Sequence, residues 1–196
     1  IPFYTKSSDP YLIWNEDTNY YNPEFNFIED NTIIDGEFQS IQYFGHRLEE
    51  IDEWLEVKPI DIPDDVCVIG FRGGEFYVFD ELGLPKEYFD EGIEMMKKIN
   101  PNMKFEVHTD DEALAKKFFP DYKVIHDIGT NWRSMRYASY AIIANSSFYI
   151  LPRLLRHGVS SVKGFFLGDR SYIAPPLTIA PRYWARRNIK KWAMPQ

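Results

Sequence analysis

The feature that most constrains this chain is a rhythm running from residue 66 to residue 167. Short apolar runs with β-branched residues alternate there with stretches whose apolar positions recur every three or four residues. A continuous apolar run of four to six residues suits a strand buried on both faces, and the longer period suits a helix laid against it. Each helix returns the chain to start the next strand in the same direction. The pattern therefore predicts an α/β fold, a Rossmann-like parallel sheet flanked by helices.

Five strands are expected, over residues 66–71, 105–108, 122–126, 140–144 and 162–167. After the first, Pro85 suits the opening turn of a helix whose face carries Phe89, Ile93 and Met96, closed favourably to its dipole by Lys97 and Lys98. Thr109 and Glu112 have capping-box spacing for a helix ending near Phe119. A short helix is expected over 132–138, and a further one from Asn145 to about His157, with Gly158 as its stop. Residues 1–35 show no sustained period and are expected to be irregular. Leu48, Ile51 and Leu55 then mark a short amphipathic helix, and Pro59 and Pro63 a linker. The expected division is an aromatic, acidic segment with its linker helix over 1–60 and an α/β domain over 61–196.

Composition enters by exclusion. With 44% hydrophobic and 27% charged residues among 196, the chain has the balance of a folded domain and not of a disordered one. No apolar run exceeds the five residues 140–144, so no membrane span is expected. One cysteine, Cys67, excludes a disulfide scaffold, and the four histidines lack metal-site spacing, so no metal is expected. The net charge of -8 argues against nucleic acid as the main partner. The terminal cluster of Arg182, Arg186, Arg187, Lys190 and Lys191 reads as a surface helix. The charge is divided: residues 1–100 carry seven basic and 23 acidic side chains, whereas 101–196 carry 15 and seven. Such asymmetry steers anions to the second half, or simply solvates two surfaces. The chain opens at Ile1 with no initiator methionine and reads as part of something longer.

In a parallel sheet, ligands bind at the carboxyl ends of the strands, and three loops bring useful chemistry there. Arg72-Gly73-Gly74-Glu75 offers two glycines for close backbone approach and one guanidinium for phosphate. Glycines after a strand also simply make turns, and the third glycine of the dinucleotide fingerprint is missing. His108-Thr109-Asp110-Asp111 offers two carboxylates, one of which suits an ordinary helix cap. Asn145-Ser146-Ser147 joins a strand to a helix start, where N–H groups and hydroxyls suit either a phosphate or plain capping.

These segments carry a family resemblance. Asp35-Gly36-Glu37-Phe38-Gln39-Ser40 with Tyr43-Phe44 resembles the "G-Y-F-Q-S-x-x-Y-F" segment of the α-1,2-fucosyltransferase family of glycosyltransferases. Residues 142–148 are similar to its "I-I-A-N-S-S-F" motif at every position, 108–111 to its "F-S-D-D", and 180–184 to its "A-P-x-x-W". The order is kept, and the similarity covers most of residues 30–185. The family's His-x-Arg-Arg-x-Asp motif is altered: Arg72 keeps the first arginine, while Gly70, Gly73 and Glu75 replace the histidine, second arginine and aspartate. After Phe148 the family continues Ser-Trp-Trp-Gly, against Tyr149-Ile150-Leu151-Pro152 here, and its N-terminal "G-G-L-G-N-Q" segment is absent from these residues.

The resemblance implies the donor-binding second lobe of a two-lobed GT-B enzyme, with a missing N-terminal lobe as its partner. It implies inverting, metal-independent transfer of fucose from GDP-fucose to a galactose-type acceptor on a glycan, with no cofactor. Arg72 and Glu75 are then the catalytic candidates, the first at the β-phosphate and the second as base, with Asp80 and Glu81 as alternatives to Glu75. Asp110, Asp111, Asn145, Ser146, Ser147 and Phe148 are the donor-binding candidates. The alternative is a non-catalytic nucleotide-sugar or carbohydrate binding domain.

Overall fold

A computed structural model of the chain describes residues 12–15, 21–30, 32–36, 38, 42–78, 83–166 and 177–179, with side chains of the last helix described through Arg156. It divides into two compact units, Ile1–His46 and Arg47–Gln196.

The first unit holds a two-stranded parallel sheet, β1 (Leu12–Asn15) beside β2 (Thr32–Asp35), and a 3-10 helix, Pro23–Phe27. These strands fall in a segment expected to be irregular; four residues are too few for a period to show. The Tyr43 ring is the centre of this unit. It lies 4.9 Å from Tyr21 and Phe25 and 5.3 Å from Phe38, and its hydroxyl accepts the Asn22 N–H at 2.9 Å.

The second unit carries the rhythm. Its elements are α1 (Leu48–Trp54), β3 (Val66–Phe71), α2 (Glu75–Val78), α3 (Lys86–Ile99), β4 (Lys104–Thr109), α4 (Glu112–Phe118), β5 (Lys123–Ile125), α5 (Ile128–Tyr137), β6 (Tyr140–Ile143), α6 (Ser147–Phe166) and β7 (Leu177–Ile179). All strand pairings are parallel, in the order β5-β4-β3-β6-β7. Counted from β3, that is 3-2-1-4-5, the order of the doubly wound Rossmann sheet. The expected fold class is the observed one.

Alternation along β3 sorts the helices onto two faces. Phe71 points to one, where its ring packs against Phe89 of α3, Phe118 of α4 and Phe119 at distances of 5.0–5.5 Å. Gly70 points to the other, toward Met135 of α5 and Tyr149 of α6. β3 is buried along its whole length, as a central strand covered on both faces must be. On the second face Arg153 of α6 is fully buried and donates to the carbonyls of Met135 (3.1 Å) and Ala138 (2.5 Å). A cation thereby caps the carboxyl end of α5. Burial pushes its pKa down to about 10, which leaves it charged at neutral pH.

Four details differ from expectation. The linker helix α1 belongs to the α/β unit, so the division falls at His46/Arg47 and not at 60/61. Arg136, itself buried, pairs with Asp52 at 2.5 Å and donates to Leu55 O, and Tyr137 donates to Val57 O. The cap of α4 is Asp111, whose carboxylate accepts Leu114 N–H at 2.9 Å, and not Thr109, which is the last residue of β4. Helix α5 begins at Ile128, four residues early, because Asp127 accepts Thr130 N–H at 2.7 Å. Finally, α6 runs through Gly158 to Phe166, across the expected fifth strand at 162–167; the edge strand is β7 instead. Leu155, Gly158, Val162, Phe165 and Phe166 keep a helical period, and a lone glycine without a turn behind it does not end a helix.

Candidate functional site

The sheet order decides where a ligand can enter. From β3 the chain leaves through α3 toward β4; from β6 it leaves through α6 toward β7, on the opposite side. Between their carboxyl ends lies the topological switch point, the place where ligands of such sheets bind. The three loops singled out in the sequence all leave this edge: 72–74 after β3, 110–111 after β4 and 144–146 after β6.

The first two loops are bonded to each other. Gly73 N–H donates to Asp110 Oδ1 at 2.8 Å and Gly74 N–H to Asp111 Oδ2 at 3.1 Å. The Arg72 guanidinium pairs closely with Asp110 Oδ2 and lies 3.3 Å from Glu75 Oε1. Both glycines are required. A Cβ at Gly73 would collide with that of Asp111, and Gly74 adopts φ +53°, the left-handed region that costs other residues strain. Asp111 serves two N–H groups, and those of Leu114 and then Gly74 hold its carboxyl below the usual range. Glu75 is largely exposed at the start of α2. Its alternatives Asp80 and Glu81 lie outside the described residues.

The third loop is a tight turn. Ala144 N–H donates to Gly70 O at 2.8 Å, extending the ladder past β6, and Ser146 O accepts from Tyr149 and Ile150 N–H at 3.1 Å each. Asn145 and Ser146 are buried, Ser147 is exposed at the first position of α6, and Phe148 is half-buried, its ring 5.4 Å from Trp132.

Tyr149 and Asn131 complete the site, and sequence reasoning did not single them out. The Tyr149 hydroxyl lies 3.0 Å from both Phe71 O and His108 O, the carbonyls from which the first two loops depart. Its ring covers Gly70, where an added Cβ would stand 2.8 Å from two ring carbons. One residue just beyond the third loop, in the first turn of α6, thus braces the other two. A signal existed: position 70 and position 149 both depart from the quoted motifs, and a single ring occupies the volume between them.

Beneath the second loop, Asn131 Nδ2 donates to Thr109 O at 3.0 Å, which turns Oδ1 toward His108 Nδ1, also at 3.0 Å. The buried imidazole therefore carries its proton on Nδ1. Its Nε2 faces Glu106 Oε2 at 3.9 Å, beyond hydrogen-bond reach, and burial holds the His108 pKa below the ordinary value. His108 supports the loop from inside the sheet.

Among the described residues no three His, Cys, Asp or Glu side chains stand together as a metal cluster, and no helix is long and apolar enough to cross a membrane. The terminal basic cluster and the segment 180–184 lie outside the described residues. Comparison with protein-family models, curated proteins and solved structures finds no match.

Proposed function

We propose that this chain is the donor-binding half of a glycosyltransferase that transfers fucose, with inversion, from GDP-fucose to a galactose-type hydroxyl of a glycan, without a metal ion. The observation that carries the reading is the convergence of three separately singled-out loops on one switch point, where α/β sheets of this order take nucleotides. The resemblance of those same segments to α-1,2-fucosyltransferase motifs selects the donor. A GT-B donor lobe is the corresponding architecture, with the acceptor lobe as its partner.

As the sugar–phosphate bond breaks, negative charge grows on the leaving diphosphate, and a fixed cation at that oxygen lowers the barrier. Among the described residues of the three loops, Arg72 is the guanidinium able to do this, and the third loop brings in the start of α6 at Ser147. Asp110 suits the ribose, since a carboxylate at the end of the second strand accepts from ribose hydroxyls in sheets of this order. Glu75 is exposed and within reach of Arg72, so it serves as the candidate base. The pairing of Glu75 with Arg72 also favours a second reading, a binding domain in which Glu75 only orients the guanidinium.

Calorimetry with GDP and GDP-fucose, with and without EDTA, tests the proposal. Binding is expected in both conditions. Losing a charge-assisted contact costs about 1.5–3 kcal/mol, so Arg72→Ala should weaken affinity by about tenfold to a hundredfold. Absence of guanine-nucleotide binding at millimolar ligand would sink the proposal, and unchanged binding by Arg72→Ala would remove that residue from it.

A further inference from the structure

Resting on that reading, we infer that the Arg72–Asp110 pair is a latch that the ligand splits, its phosphate taking Arg72 and its ribose diol taking Asp110. The groups best suited to hold a nucleoside diphosphate are engaged with one another: Arg72 with Asp110, and Asp110 also with Gly73 N–H at 2.8 Å. Both side chains of the pair remain about one-third exposed, 30% for Arg72 and 34% for Asp110, so solvent and ligand reach them. The frame around them has hydrogen bonds of its own. Tyr149 holds the carbonyls at which both loops begin, and Asp111 stays committed to Leu114 and Gly74 N–H. Opening the latch therefore means turning the Arg72 guanidinium, which also lies 3.3 Å from Glu75 Oε1, off Asp110 Oδ2, while Asp110 Oδ1 keeps Gly73 N–H.

The exchange is favourable because neither charge is left alone. A phosphate presents two oxygens to a guanidinium fork, and a cis-diol presents two O–H donors to a carboxylate. A ligand with phosphate alone satisfies Arg72 but leaves Asp110 with Gly73 N–H and no cation, beside the phosphate's negative charge. The latch thus selects nucleotides over free phosphates, which is specificity by leaving the wrong ligand's site unpaired.

Asp110→Asn tests this, since the amide keeps its shape and can still accept Gly73 N–H. In calorimetry on the whole chain, the variant should bind inorganic pyrophosphate about twofold to fivefold more tightly than wild type, the size of a partly exposed ion pair removed from competition. GDP should gain less than pyrophosphate, because its ribose loses an ionised acceptor. Pyrophosphate bound equally or more weakly by the variant overturns the latch. Wild type that takes pyrophosphate as tightly as GDP overturns the latch too, whereas tighter pyrophosphate binding by the variant, with wild type taking ADP and UDP as well as GDP, leaves the latch standing and overturns the guanine-nucleotide reading. If the variant does not fold, wild type is titrated with pyrophosphate while the Asp110 carboxyl carbon is followed by NMR. A shift on saturation supports release from Arg72, and a resonance that stays in place overturns it.

Discussion

Gly70→Ala adds one methyl group at the switch point, and its cost can be worked from the geometry. The new Cβ would lie 2.8 Å from Cγ and Cδ1 of Tyr149 and 3.0 Å from Met135 Cε. Carbon atoms rest at about 3.5–4.0 Å from each other, so the ring must retreat by roughly 0.7 Å. Met135 is a flexible thioether and can turn aside. The Tyr149 ring cannot do so freely, because its hydroxyl is held at 3.0 Å from two carbonyls. Stretching that contact costs about 1 kcal/mol, and overpacking adds about 1–3 kcal/mol. The backbone gain of alanine over glycine in a strand returns about 0.5–1 kcal/mol. A net loss of about 1–3 kcal/mol is expected in urea unfolding near neutral pH. Tyr149→Ala alone should cost about 3–5 kcal/mol. With the ring gone the methyl meets no ring, so the double variant should cost less than the sum by about 1–3 kcal/mol. A neutral Gly70→Ala, or strict additivity in the double variant, would refute the claim that this ring and this glycine form one packed unit.

Two further outcomes follow from the loop beneath the site. His108 has a folded pKa below its unfolded value of about 6.5, so below that pH the unfolded chain binds a proton that the folded one resists; its contribution to stability is present above about pH 6.5 and is lost as pH falls toward the folded value, and a urea midpoint in His108→Gln that falls as steeply as wild type between pH 7.5 and 5.5 would show the slope belongs elsewhere. Asp111→Ala removes both the α4 cap and the acceptor of Gly74 N–H and should cost about 1–3 kcal/mol, whereas Asp127→Ala removes the α5 cap and should cost about 1 kcal/mol; the reverse order in thermal unfolding would contradict the two-bond role of Asp111.

The residues alone were enough to place β3, α3, β4 and β6 within a residue or so, because a buried strand and an amphipathic helix are written in neighbouring side chains. Val66–Phe71 is apolar throughout, and Phe89, Ile93 and Met96 are buried at the spacing that predicts it. Periodicity also made the parallel sheet legible, and with it the edge from which Arg72, Asp110 and Asn145 depart. It failed where length or period was ambiguous: four-residue β1 and β2 carry no period, and the apolar residues after Gly158 suit a helix as well as a strand. What the side chains at that edge do to one another was decided by tertiary structure alone. Gly73 and Asp110 stand 37 positions apart, as do Gly74 and Asp111, and Tyr149 stands 78 from Phe71. Their meeting depends on β4 lying beside β3 on one side and β6 on the other, an order set by the packing of helices on both faces. Local patterns report which way a side chain points; only strand order brings the partner opposite it, and so turned two donor-binding candidates into groups already bonded to the glycine loop.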